Sequence, residues 1–244
     1  MRSGHAVSAI APVVCAGVGI RYGNNWPIRL ASFRLGSPDA ALGVVTSSPA
    51  DAALLELLSG RSAPAYGAMR VLGHDVSTAR GRVAVRQEIG VASRHARIVP
   101  AIRIRGHVER AARLAGQPVS DRHLLVAAIL DRLALTGWAT VPLRAAPELI
   151  ARKARLAAAC VHQPRLLLID GLLDQLSERD LAVLADVIAD LRRDTAVLAL
   201  GRDADALGRA CGRVLTLVAG ILVDREAAEA AVRLDAGSRP VLVQ

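Results

Sequence analysis

Four aliphatic residues in a row, Leu166, Leu167, Leu168 and Ile169, end at a carboxylate, Asp170. A strand with one wet face would alternate apolar and polar residues. An unbroken run is buried on both sides, as in a parallel sheet covered by helices above and below. The residues that follow continue that logic. Helical spacing over 178–191 is followed by a strand pattern at 196–200, a helix at 204–210 and a strand at 213–218, and Gly220 permits a hairpin into 221–223. Strands alternating with helices imply βαβ units and a parallel sheet. Composition fits: hydrophobic residues make up 52% of the chain but aromatics only 2%, so the core has to be built from Ala, Leu and Val. A chain of 244 residues is long enough for one large or two small domains.

Upstream, the pattern gives strands near 13–22, 29–34 and 41–46, a helix at 50–58 stopping at Gly60, and short strands at 68–72 and 89–92. Between about 100 and 160 the character changes. Segments 104–114, 123–135 and 146–161 all carry apolar residues at helical spacing, as expected of an inserted all-helical subdomain. The first eleven residues are expected to be a loose leader. The mild apolar stretch 6–20 could be taken for a signal peptide, but Pro12 interrupts it and Val14 precedes Cys15, so a first buried strand is the better reading. Segment 225–234 reads as a helix, followed by a tail to Gln244.

The formal charge is +9 and the pI about 10.9, which favours acidic partners: nucleic acid, anionic lipid or phosphate. Arginines at 80, 82, 86, 94, 97, 103, 105, 110 and 113 motivate that class. Their spread along the chain fits a solvated surface better, and the scarcity of aromatics and the lack of a recognisable module disfavour nucleic acid. Cys15, Cys160 and Cys211 form no CxxC pair, which points to a reducing compartment. The six histidines show no ligand cluster. No apolar run is long enough to span a bilayer.

Several short anchors, in order, carry a resemblance. They are Ala16-Gly17-Val18-Gly19-Ile20-Arg21-Tyr22-Gly23; Leu57-Leu58-Ser59-Gly60; Gly67 with Val71-Leu72-Gly73-His74-Asp75; His162-Gln163-Pro164-Arg165 leading into Leu166–Asp170; and Leu217-Val218-Ala219-Gly220-Ile221-Leu222-Val223. Together they resemble the ATP-binding cassette (ABC) ATPase domain, the motor subunit of ABC transporters, over residues 13–224. The resemblance implies an α/β fold: a P-loop NTPase-like core with a parallel sheet, an antiparallel β subdomain and an inserted α-helical subdomain. It also implies ATP and Mg²⁺ as the ligands, if any binding survives.

The departures fall where that family does its chemistry. A P-loop needs glycines so that backbone N–H groups can cradle phosphate, a lysine to grip it, and a hydroxyl to hold Mg²⁺. The matching stretch, Val45-Thr46-Ser47-Ser48-Pro49-Ala50-Asp51-Ala52-Ala53, has no glycine. Asp51 stands at the lysine position, and the chain's one lysine is Lys153. The same residues also read as an ordinary helix start, with Ser48 as N-cap, Pro49 in the first turn and Asp51 three residues after the cap. The Asp51 carboxylate would then lie where a phosphate otherwise binds. Asp170 matches the Walker B aspartate, but Gly171 stands where the hydrolytic glutamate would. The signature loop corresponds to Ala146-Pro147-Glu148-Leu149-Ile150, without serine or glycine. Arg94 replaces the glutamine after the 89–92 strand, and Arg202 the histidine after the 196–200 strand. Asp174 lies too far downstream to replace the missing glutamate. Ser177 and Asp180 make a capping box.

Residues at nucleotide positions are therefore Tyr22, as an adenine stacker or a strand-end packing residue, with Ser47, Ser48 and Asp51; the metal position is Asp170. Catalytic residues are expected to be absent. The expected function is a degenerate cassette subunit, a non-hydrolysing structural or regulatory partner of a membrane transport complex. Its partners would be a permease subunit, a homologous ABC ATPase or a second copy, with a cytoplasmic location, peripheral at the inner face of the cell membrane. The alternatives are a working ABC ATPase with displaced chemistry and a basic protein that binds nucleic acid or an acidic surface.

Overall fold

The computed structural model describes residues 11–36, 41–47, 49–97, 99 and 101–224. Nearly all of the expected leader, Ser48 and the expected helix at 225–234 lie outside the described residues. In chain order the strands are β1 (Val13–Tyr22), β2 (Asn25–Leu35), β3 (Ala41–Val45), β4 (Tyr66–Val71), β5 (His74–Asp75), β6 (Ile89–Ser93), β7 (Leu166–Asp170), β8 (Ala196–Gly201), β9 (Val214–Val218) and β10 (Ile221–Asp224). The helices are α1 (Ala50–Leu58), α2 (Ala79–Glu88), α3 (Ile104–Leu114), α4 (Val119–Arg132), α5 (Glu148–Cys160), α6 (Glu178–Leu191) and α7 (Ala204–Cys211).

The strands form one mixed sheet in the order β5-β4-β1-β2-β10-β9-β3-β8-β7-β6. At one end β1 pairs antiparallel with β2 and β4, and β4 with β5. At the other, β9, β3, β8, β7 and β6 run parallel. The β9–β10 hairpin joins the two ends through the register pair Ile221↔Leu30.

Strand β7 is buried along its whole length. Its side chains divide between two cores, as strand geometry dictates. Leu166 and Leu168 pack with Leu54, Leu57 and Leu58 of α1. Leu167 and Ile169 face the opposite side, with Leu156 of α5 and Leu184 of α6. Because Leu168 is wholly enclosed, Leu168→Ala is expected to cost about 2–5 kcal/mol. In urea melts the midpoint should fall with the slope unchanged. Helices α3, α4 and α5 pack on one another through Val108, Ala112, Val126, Leu130 and Ala157.

Helix α2 has no counterpart in the sequence reading. It buries only Gly81 and Val85, so its apolar periodicity is thin. What starts it is Thr78, whose hydroxyl accepts the Gly81 N–H. A Cβ at Gly81 would lie 1.9 Å from the Asp75 carbonyl oxygen, so only glycine fits that close approach. The end of α2 is tied by Glu88, whose carboxylate accepts from His74 and from Arg165, each at 2.7 Å. Burial pushes the Glu88 carboxyl up, but these partners outweigh it and hold it below the usual range. A depressed folded value means that Glu88 stabilises the fold above the ordinary glutamate pKa. That contribution is lost as pH falls through the folded value. The stability gap between wild type and Glu88→Gln should therefore be widest near neutral pH and close in acid, as read by denaturant melts across pH.

Cys15, Cys160 and Cys211 are buried free thiols, each pushed by burial up to about 12. Among the described residues no helix is long and apolar enough to cross a membrane.

Candidate functional site

The site forms where β3 and β7 end beside α1. Four residues, 46–49, connect β3 to α1. A helix N-terminus normally offers orphan N–H groups to an anion. Here they are spent within the chain. Ala50 and Asp51 donate to the Ser47 carbonyl at 2.8 and 3.4 Å, and Ala53 donates to the Pro49 carbonyl at 3.2 Å. Ala52 donates to Asp51 Oδ1 at 2.7 Å. Pro49 has no N–H to give. The cap position of α1 falls at Pro49, with no side-chain cap bond; Ser48, the cap expected from sequence, lies outside the described residues. The main chain of Ser47 does the capping instead.

Asp170 ends β7 and is buried. Its Oδ2 accepts the Ser93 hydroxyl at 2.6 Å, and Ser93 Oγ in turn accepts the His95 N–H. Burial pushes the Asp170 carboxyl up, reinforced by the Asp51 and Asp174 carboxylates and opposed by Ser93 and His95. Gly171 follows with φ +66°, a left-handed turn that suits glycine. That turn folds the chain back, and Asp174 meets the end of β8, where its Oδ1 accepts the Arg202 N–H at 2.8 Å. Asp174, which its sequence distance seemed to remove from the site, therefore lines the same cavity as Asp51, Asp170, Thr46 and His95. That cavity measures about 10 Å³, room for about one water. Outside it lies an open cleft of about 820 Å³ bordered by Arg94, Gln175, Arg202 and Asp203.

Arginines brace the rim. Arg94 donates to Gln175 at 2.9 Å and lies 3.9 Å from Glu148. The Arg202 side chain is exposed, and Arg202 bonds Asp174 through its main-chain N–H. In the stretch matching the signature, Pro147 occupies the cap position of α5 without a side-chain cap bond, and Glu148 opens the helix. The Glu148 carboxylate pairs with Arg152 at 2.9 Å. Arg152, 1% exposed, also donates to the carbonyls of Leu172 and Asp174. Lys153 is buried, and desolvation lowers its pKa.

Tyr22 is exposed, and the aromatic pair nearby in sequence is formed by Trp26 and Tyr66. Its hydroxyl donates to Glu56 of α1 at 2.7 Å. Desolvation, then the Glu56 bond, push the phenol up to about 12. Ser47 is exposed and contributes its carbonyl to the α1 cap. The structure thus brings Asp51 and Asp170 to one cavity, with Gly171 and Arg202 on its wall and Arg94 on the outer cleft, and leaves Tyr22 on β1 bonded to α1. Sequence reasoning missed Thr46 and His95. Their only local signal was position, one residue past the end of β3 and two past the end of β6.

No family model matches the chain. Among curated proteins, the methionine import ATP-binding protein MetN 2 of Burkholderia mallei is 28% identical over 187 residues, 75% of this chain and 47% of that protein. MetN of Caulobacter vibrioides is 27% identical over 192 residues, 77% and 58% of the two chains. The chain spans about half the length of these relatives. Among solved structures, cbiO1 from Clostridium perfringens, described as part of the ABC transporter complex cbiONQ, superposes with a TM-score of 0.78. It is 12% identical, with 95% of this chain and 96% of that one covered. An ATP binding subunit of an ABC transporter gives 0.73 at 13% identity, covering 93% and 95%. The mixed sheet, its antiparallel end and its helices match the fold of these ABC transporter subunits. By sequence its homologues are ATP-binding proteins of ABC transporters.

Proposed function

We propose that this chain is a cassette subunit of a membrane transport complex that neither grips nor hydrolyses ATP. It works by docking, on a permease subunit, on a homologous ABC ATPase or on a second copy, from the cytoplasmic face of the membrane. The relatives support the transport half of this reading. The start of α1 supports the other half: every N–H from Ala50 to Ala53 already has an acceptor within the chain, and one of those acceptors is the Asp51 carboxylate.

Magnitudes support it as well. Two unit charges about 4 Å apart interact by roughly 4 kcal/mol at an effective dielectric near 20, so an aspartate in place of a lysine shifts such a phosphate contact by up to about twice that. The inner cavity has room for one water, not a triphosphate. Gly171 offers no side chain to orient or deprotonate an attacking water.

The test is a titration of the full chain with a fluorescent ATP analogue, with and without Mg²⁺, alongside a phosphate-release assay. No saturable binding in the micromolar range and no turnover are expected. Saturable turnover that disappears in Asp170→Asn would overturn the reading. Pull-down from a membrane fraction should recover a multi-span or cassette partner.

A further inference from the structure

At the antiparallel end of the sheet, Val13, Cys15, Ala31 and Phe33 point inward and pack with α1. The positions between them face the other way, and among the described residues no helix lies over that side. A sheet face left to water carries polar residues at such positions. Here Tyr66 of β4, Leu30 of β2, Ile221 of β10 and Val218 of β9 are large and exposed, Leu30 by 50% and Ile221 by 43%.

These side chains form one row across the strands. Ile221 is in register with Leu30 on one side and with Val218 on the other. Tyr66 is in register with Gly19 of β1, and its hydroxyl donates to the Arg29 carbonyl, so its ring lies across β1 to reach β2. A Cβ at Gly19 would run into that ring, which is why glycine stands there. Val14 of β1, exposed as well, lies further along the same face in register with Arg34 and Arg70. An exposed apolar row over five neighbouring strands marks a surface that something covers.

The chain itself supplies a cover beside this face. Strand β10 carries Ile221, and the described residues stop at Asp224, three positions later. The sequence that follows, 225–234, sorts at helical period into two faces. Arg225, Glu226, Glu229 and Arg233 share one, while Ala227, Ala230, Ala231 and Leu234, at i, i+3, i+4 and i+7, share the other. Ten helical residues span about 15 Å, or about three strand spacings, and a helix with its side chains is about 10–12 Å across. That footprint runs from β10 over β2 and β1 to β4, and along the strands from Leu30 to the Val14–Arg34 pair. A segment tethered this closely also competes at an effective concentration in about the millimolar range, which few free partners reach.

We infer that residues 225–234 fold back as a helix over the outer face of the antiparallel sheet. They seat Ala227, Ala230, Ala231 and Leu234 on Leu30, Ile221 and Val14 and turn their charges to water. The chain thus covers its own exposed row and withholds this face from partners. The inference does not depend on whether ATP binds.

The test is hydrogen exchange, read by mass spectrometry, on the full chain at low and at high micromolar concentration. Amides of 227–234 should be protected equally at both. Leu30→Glu on the sheet and Leu234→Glu on the segment should each speed their exchange by about ten- to a hundredfold, the worth of one buried leucine. Amides of β7 should keep their protection in both variants, which shows an intact fold; if one variant loses it, the other decides. Exchange of 227–234 at the free-chain rate in wild type would overturn the inference. So would protection that neither folded variant disturbs, which would seat the segment elsewhere. Protection that appears only at high concentration would overturn it in favour of a second copy. Protection that appears only on anionic phospholipid vesicles, which the arginines beside Val14 could attract, would overturn it in favour of a lipid surface.

Discussion

Arg152→Ala should cost about 3–5 kcal/mol, a large share of the stability of a domain this size. The Arg152 guanidinium is almost completely enclosed and makes three bonds at once: Nε to Glu148 at 2.9 Å, and Nη1 to the Leu172 and Asp174 carbonyls at 2.6 and 2.7 Å. Losing Glu148 as a partner is cheap, because that carboxylate is exposed and water can replace the arginine. The carbonyls are the expensive part. Leu172 is wholly buried, and each deserted acceptor costs about 1–3 kcal/mol. The buried side-chain stem adds lost packing. Arg152→Lys should fall between the two, since one ammonium can stand in for Nη1 at the carbonyls but leaves no second nitrogen for Glu148. Urea unfolding with unchanged slope would measure all three chains. A loss below about 1 kcal/mol in Arg152→Ala would mean that water reaches the Leu172 carbonyl.

The same bonds explain why part of this site was hidden in the sequence. Arg152 reads as one more charge on a helix already carrying Lys153 and Arg155. Nothing local says that it turns inward to hold a turn twenty residues on. Helices α1, α3 and α6 were legible to the residue because apolar spacing, a stop or cap signal and length agreed. Ser177, for instance, accepts the Asp180 N–H as its spacing suggests. Helix α2 was not legible, since arginines fill it and glycine sits in its first turn. At the site, Asp51 and Asp170 could be read because each ends or begins an element with a known period. The gathering of Asp174 with Thr46 and His95 depends on the left-handed turn at Gly171 and on the parallel pairing of β6, β7 and β8. Those are long-range facts that spacing cannot carry. The start of α1 fell between the two cases: residue types mark a helix start there, but the Ser47 carbonyl that accepts its first two N–H groups is not marked.

Gly90→Ala should be destabilising out of proportion to its single added carbon. A Cβ there would lie 2.1 Å from the Ala159 carbonyl oxygen and 3.0 Å from the Ala159 carbonyl carbon and Pro164 Cγ. The obstacle is main chain of α5, so no rotamer change relieves it, and α5 must lift from β6. Overpacking in a closed core costs about 1–3 kcal/mol, occasionally more, and Gly90→Val belongs at or beyond the top of that range. The control is Gly137→Ala, where nothing lies within 4 Å and φ is unremarkable. It should be neutral or stabilising by about 0.4–1 kcal/mol, through a stiffer unfolded chain. The two glycines also differ in what they disturb. Gly90 is three residues from Ser93, whose hydroxyl holds Asp170 and whose carbonyl accepts from Arg155 of α5. Displacing α5 should therefore loosen the Asp170 carboxylate as well as the fold. In hydrogen exchange, amides of β6 and of the Gly171 turn should lose protection together in Gly90→Ala and keep it in Gly137→Ala.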